Sequence, residues 1–213
     1  MPLSRLVSLL APPLCLACGA PSEVHQPLCR PCRGGLRWLP DEQAAGAGFP
    51  AWAAVSYEGP ARALVRALKF RGALTLADAM AAQMAANAPP GLLESRSLVP
   101  VPMHPARRRR RGFNQAKEIA AALARRSGLP FADCLERAAG GARGSQVGLG
   151  REERLGSLGG SVRLRQGAAV PLRALLVDDV ITTGATLAAC AAALAEAGVR
   201  EVGGIAYART PGR

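Results

Sequence analysis

Lysine is nearly missing from this chain: of 27 basic residues, only Lys69 and Lys117 are lysines. Acidic residues are also scarce, 15 against those 27, which leaves a formal charge of +12. This balance favours anionic partners, either nucleic acid or phosphorylated small molecules, because arginine's planar fork matches phosphate oxygens. Codon usage in a GC-rich genome accounts for arginine over lysine, but not for 27 against 15. Aromatic residues make up 4% of the chain, so its core must be built from Ala, Leu and Val. No apolar run reaches the roughly 18 residues that span a bilayer, so no membrane insertion is expected. The opening MPLSRLVSLLAPPLCLACG faintly resembles a signal peptide, but cleavage near Ala17 would cut into a cysteine cluster. A cytoplasmic protein is therefore expected.

What is present is enough for one full domain and a small appendage: 213 residues, 49% of them hydrophobic. Residues 1–40 hold four of the six cysteines and little helical periodicity, and 41–50 (DEQAAGAGFP) reads as a linker. AWAAVSYEGP predicts a strand ending in a turn. PARALVRALKFRG predicts a helix with Pro60 in its first turn and Gly72 past its end. LTLADAMAAQMAANA predicts a second helix, stopped by Pro89 and Pro90, and SLVPVP a short buried strand. Asn114 reads as the N-cap of QAKEIAAALARRSG, with Gly128 beyond its last turn. Residues 137–160 are glycine-rich and aperiodic and read as a long loop. A short strand near Ser161–Leu164, a strand over Arg173–Val177, a helix from about Thr186 to Glu196 and a final strand VGGIAYAR complete the pattern. Strands alternating with helices predict an α/β fold with a parallel, doubly wound sheet, in which ligands bind beyond the carboxyl ends of the strands.

One motif sits at such an end. After the apolar run ALLV come Asp178 and Asp179, then Thr182, Thr183, Gly184, Ala185 and Thr186, and then a helical run. Adjacent strand residues point to opposite sides, so the two carboxylates need not collide. They can accept hydrogen bonds from neighbouring sugar hydroxyls or hold a hydrated Mg2+. The turn that follows offers backbone N–H groups, hydroxyls and a helix N-terminus to an anion, with Gly184 allowing close approach. An acid pair beside a phosphate cradle suits a ribose 5-phosphate.

The cysteines form a second constellation. Cys15, Cys18, Cys29 and Cys32 read C-x2-C, ten residues, C-x2-C, a spacing that brings four thiolates to the corners of a tetrahedron around structural Zn2+. His25, between the knuckles, is a weaker alternative ligand. Metal binding would supply the folding energy of so short a segment. Arg30, Arg33 and Arg37 stand beside it, while Cys134 and Cys190 lack partners and read as packing residues.

VDDVITTGAT resembles the phosphoribosyl pyrophosphate (PRPP) motif of the type I phosphoribosyltransferases. The resemblance implies a Rossmann-like fold in which Asp178 and Asp179 contact the ribose hydroxyls and Thr182–Thr186 hold the 5-phosphate. It also implies Mg2+-pyrophosphate bound opposite. Purine-salvage members carry an aspartate where this chain has Thr182, and orotate enzymes carry a lysine-rich loop with no counterpart here. LVPVPMHPARRRRRGFNQAKEIA, the LKFRG segment and the cysteine pairs together resemble the ComF family of competence-associated proteins. That resemblance implies a zinc-ribbon-like module over 1–40, the linker 41–50 and a phosphoribosyltransferase-like domain over 51–213. It further implies a role in handling incoming single-stranded DNA during natural transformation, with single-stranded DNA and a DNA-uptake helicase as partners. Arg137, Gln146 and Arg154 fit the family pattern, whereas its Asn is Ser157 here.

Three functions stay open on these residues: a PRPP-binding nucleic-acid module, an active orotate- or adenine-like phosphoribosyltransferase, and a structural adaptor for the helicase. No residue identifies an acceptor nucleophile. In the strand-to-helix connection, Arg107 to Arg111 form a basic run, read either as a phosphate-contacting segment or as a solvated basic turn. Arg107 and Arg111, with Lys69 and Arg154, are the candidates for pyrophosphate or nucleic acid. Lys69 alternatively reads as a snorkelling surface lysine. Phe113 offers a lone stacking surface, and His104 reads as a loop residue that nothing orients.

Overall fold

The computed structural model describes residues 13–23, 26–40, 48–72, 74–94, 96–137 and 162–211. A short helix α1 (Arg30–Gly34) leads to β1 (Ala51–Ser56), α2 (Gly59–Arg71), α3 (Thr75–Asn87) and β2 (Ser97–Pro100). Then come α4 (Pro105–Arg111), α5 (Gln115–Ser127), β3 (Leu135–Arg137) and β4 (Val162–Leu164). The chain continues with β5 (Arg173–Ile181), α6 (Ala185–Glu196) and β6 (Glu201–Arg209). The helix ends follow local chemistry. Pro60 stands in the first turn of α2, and Gly72 closes that helix at φ 62°. Asn114 caps α5 by accepting the Ala116 N–H at 3.1 Å, and Gly128 ends it at φ 71°.

Four strands form one sheet in the order β1-β6-β5-β2, every pairing parallel. An α/β architecture with a parallel sheet between helices is thus what the sequence adopts. The central strand β5 is apolar on both faces, as a doubly covered strand must be. Leu175 and Val177 pack with α2, α3 and α5, including Leu64, Leu68, Met80, Ile119 and Leu123. Ala174 and Leu176 pack on the other side with Leu187, Cys190 and Leu194 of α6 and with the antiparallel β3–β4 ribbon. Each fully buried leucine in these layers contributes about 1.5–3 kcal/mol. Gly204 of β6 is glycine for close packing: a Cβ there would stand 3.0 Å from that of Ala51. Buried Tyr207 satisfies its hydroxyl by donating to Gln83 Oε1 at 2.8 Å.

Three features differ from the sequence reading. β5 does not end at Val177 but runs to Ile181, because β6 continues to pair with it as far as Arg209. The arginine run is a helix, α4, and not a turn. Pro105 starts it, the His104 side chain caps it by accepting the Ala106 N–H at 3.2 Å, and Gly112 closes it at φ 86°. His104 is therefore oriented by a capping bond. The N-terminal segment also reaches the main sheet. Trp38 bridges Val55, Leu39 N–H donates to the Ala54 carbonyl at 3.0 Å, and Ser56 N–H donates to the Arg37 carbonyl at 2.8 Å. Cys15, Leu28, Cys29 and Leu36 are buried in the same apolar cluster as α2 and α3. No helix of the described residues is long and apolar enough to cross a membrane.

Candidate functional site

The register of the sheet creates the site. β2 pairs with β5 only through Pro100↔Val177, and one further bond, Val101 N–H to the Val177 carbonyl at 3.0 Å, ends the ladder. Beyond it, β5 keeps its pairing with β6 but loses its neighbour on the β2 side. Asp178 and Asp179 are the next two residues. The chain leaving β2 turns away into α4, and a cleft of about 430 Å3 opens between them. Its walls include Lys69 and Phe70 of α2, Arg107, Arg110 and Arg111 of α4, Gln115 of α5, Arg137 of β3, both aspartates and Thr186.

The aspartates diverge as adjacent strand residues should. Asp179, 7% exposed, meets the α2 layer, where its Oδ2 lies 2.7 Å from Lys69 Nζ. The approach lies outside hydrogen-bonding angles, so the contact is an ion pair. Lys69 is therefore a wall of the cleft, with its side chain 23% exposed, and not a snorkelling surface lysine. Asp178 Oδ1 accepts the Asp179 N–H at 2.8 Å. Asp178 keeps some surface in the cleft, yet the protein packed around it and then the charge of Asp179 raise its carboxyl well above the usual range. The Asp179 N–H and the more distant Lys69 oppose that shift.

The turn after β5 places Thr182 and Thr183 on the surface and Gly184 at φ 78°, where α6 begins. Thr183 Oγ1 accepts the Ala185 N–H at 3.3 Å. No acidic residue occupies the first turn of α6, so its positive end is uncompensated by side chains. Of the predicted phosphate residues Thr182, Thr183, Gly184, Ala185 and Thr186, only Thr186 lines the cleft.

Helical spacing sorts the arginines. Arg107, Arg110 and Arg111 share one face and line the cleft, whereas Arg108 borders a neighbouring depression. Arg107 to Arg110 are exposed. Arg111 is half-buried, and burial lowers its pKa, with Asp179 opposing and Arg110 and Arg107 adding to the effect. Its guanidinium sits 5.4 Å from the centre of the Phe70 ring. Phe70 is the exposed aromatic of the rim, at 67%; Phe113 is half-buried against the core instead. Arg154 lies outside the described residues, as do His25, Gln146 and Ser157.

Gln115, inside the quoted RGFNQA stretch, and Arg137, which fits the family pattern, also line the cleft, although the sequence assigned neither a ligand. Gln115 is 3% exposed with its Oε1 buried and unpartnered, and Arg137 buries Nε and Nη2 without a hydrogen-bond partner among the described residues. Buried polar atoms without partners are uncommon, and these belong to residues that line the cleft. A signal was present in Gln115, a polar residue at the first position of a helix whose inner face is otherwise Ala, Ile and Leu.

The cysteines converge as their spacing predicts. The four Sγ atoms of Cys15, Cys18, Cys29 and Cys32 lie within 4.8 Å of one another, and Cys18 and Cys29 are 3.6 Å apart. A tetrahedron with Zn–S of about 2.3 Å has edges of about 3.8 Å, so the cluster fits zinc. Burial alone would raise the Cys15 thiol. Backbone N–H groups of Cys29, Cys18 and Ala17 outweigh it and bring the pKa to about 6, the arrangement that steadies a metal-bound thiolate. Among the described residues this is the only set of three or more Cys, His, Asp or Glu side chains close enough to hold a metal. Mg2+ at Asp178 and Asp179 would need ligand oxygens to complete its shell.

No family model matches the chain. It is 36% identical over 104 residues to competence protein ComFC of Streptococcus pneumoniae. The match covers 49% of this chain and 44% of that protein, less than half its length. The similarity supports the ComF family resemblance carried by the quoted motifs.

Proposed function

We propose that the chain is a ComF-type competence protein that binds PRPP in this cleft and acts on incoming single-stranded DNA. Asp178 and Asp179 accept the ribose hydroxyls, and the turn from Thr182 to Thr186 receives the 5-phosphate at the start of α6. Arg107 and Arg111 meet the pyrophosphate. Mg2+ bound with the ligand would shield the pyrophosphate charge. The observation that carries this reading is the acid pair at the point where β5 loses its β2 neighbour, with arginines on one side and a helix N-terminus on the other. Acids at the floor suit hydroxyl donors, and guanidinium groups at the rim suit phosphate oxygens. Turnover, if present, would proceed by loss of pyrophosphate through an oxocarbenium-like state, its leaving charge met by the α4 arginines.

The test is calorimetric titration with PRPP and Mg2+. Heat of binding is expected for the wild type, with a loss of at least tenfold in affinity for Asp178→Ala and for Asp179→Ala. No heat with the wild type, or wild-type affinity retained in both variants, removes the reading. Pyrophosphate release with an added acceptor then separates a transferase from a binding module. The similarity to a competence protein supports the DNA half of the proposal, and so do the exposed arginines of α4.

A further inference from the structure

We infer that a slot between the cysteine module and helix α2 takes an unpaired nucleobase of a single strand, stacked on Phe70; the inference rests on the nucleic-acid half of the proposal above and not on PRPP. The slot, about 330 Å3, is lined by Leu16, Ala63, Arg66, Ala67 and Phe70. Four of these residues follow from helix geometry: positions 63, 66, 67 and 70 share one face of α2. The fifth, Leu16, belongs to the first knuckle, between Cys15 and Cys18. The walls are thus an aliphatic side chain held by the cysteine cluster and an aromatic ring held by the helix, with small alanines as the floor.

Phe70 lines both this slot and the larger cleft. At 67% exposure, a phenyl ring left in water forfeits the burial that would stabilise it, unless something covers it. Arg111 approaches the ring at 5.4 Å, which accounts for part of that surface. A flat apolar body in the slot would account for more. The charge around it selects the body. Arg66 lines the slot, and the exposed Arg107 to Arg110 stand on the helix that also carries Arg111. A ligand with a ring to stack and phosphates to spread across several guanidinium groups is a single-stranded nucleic acid, and every base offers a π-face for such stacking. An uncharged aromatic metabolite would use the ring but leave the arginines without partners. A duplex would use the arginines but keep its bases paired and away from the ring.

The test uses the full-length, metal-loaded chain and fluorescence anisotropy with a thymidine oligomer across a salt series. Phe70→Ala is expected to weaken binding about 5- to 160-fold, the loss of one stacked base, and to leave the slope of log affinity against log salt unchanged. Arg66→Gln is expected to lower that slope by about 0.7, the loss of one phosphate contact. An abasic oligomer of equal length is expected to bind the wild type as weakly as the thymidine oligomer binds Phe70→Ala, and to be indifferent to that substitution. Phe70→Leu, which keeps the apolar bulk, should remain weakened. If the wild type binds the thymidine oligomer and Phe70→Ala binds it equally well, the slot is not a base site. If the wild type binds no oligomer at any salt, the nucleic-acid reading falls with it, while the PRPP titration stands apart.

Discussion

Replacing Lys69 by methionine isolates the contact that organises the cleft floor. Lys69 Nζ lies 2.7 Å from Asp179 Oδ2, with side-chain exposures of 23% and 10%. At an effective dielectric of about 20, two unit charges at that distance attract by roughly 6 kcal/mol. Desolvation of both groups offsets much of this in the intact pair. In Lys69→Met the Asp179 carboxylate stays desolvated while its nearest counter-charge is gone. Removing one partner of a fully buried pair costs about 3–5 kcal/mol. Here Arg111 also acts on Asp179, and water reaches the lysine end. A loss of about 2–3 kcal/mol follows, or a fall of about 4–12 °C in Tm for a chain of this size. Urea unfolding should show a lower midpoint with an unchanged m-value. Asp179→Asn in the Lys69→Met background should recover most of the loss, giving a coupling of about 2 kcal/mol in the double-mutant cycle. A single variant within about 0.5 kcal/mol of wild type, or a cycle without coupling, would show that the pair does not hold the floor together.

Three other outcomes are expected. Asp178 has its pKa raised by burial and by Asp179, so the native state retains a proton that the unfolded chain has lost, and stability falls as pH rises through that window. Asp178→Asn should approach wild type well below about pH 4, where the residue-178 carboxyl is protonated in both the folded and the unfolded chain, and be the more stable protein above the raised value; wild type the more stable at pH 8 would contradict this. One zinc per chain is expected by metal analysis. Its removal by a chelator, or Cys29→Ser, should cost several kcal/mol in unfolding, and a stable, fully folded chain lacking metal would count against the site. Asn114→Ala should cost about 1–2 kcal/mol, because Asn114 both accepts from Ala116 and donates to the Val101 carbonyl at 2.9 Å. Asn114→Ser keeps only the capping bond and should cost less, as thermal unfolding would show.

Much of the fold was readable because its signals are local. Pro60 and Gly72 bracket α2, Asn114 and Gly128 bracket α5, and the proline pair follows α3. The cysteine spacing likewise carries its own geometry. What escaped depends on neighbours far along the chain. The length of β5 was hidden because its last four residues are held by β6, which supplies pairing after β2 has ended. The arginine helix was hidden by its charge, although Pro105 and Gly112 mark its ends as plainly as those of α2. The direction of Lys69 could not follow from a helix of alanines, leucines and arginines, since its partner lies 110 positions later in Asp179. Gln115 and Arg137 become site residues only once α5 and β3 are packed beside β5.

The strip from Arg37 to Leu39 lies along the outer side of β1, an uncharged strand, AWAAVS, with every residue buried. A strand of that composition, once uncovered, is a template for pairing with another chain. The strip is tethered to the cysteine cluster a few residues before it. A metal held by the four cysteines would therefore guard solubility as well as shape: stripped of it, the protein should clump through β1 before it melts, and metal supply would govern how much of it stays dispersed.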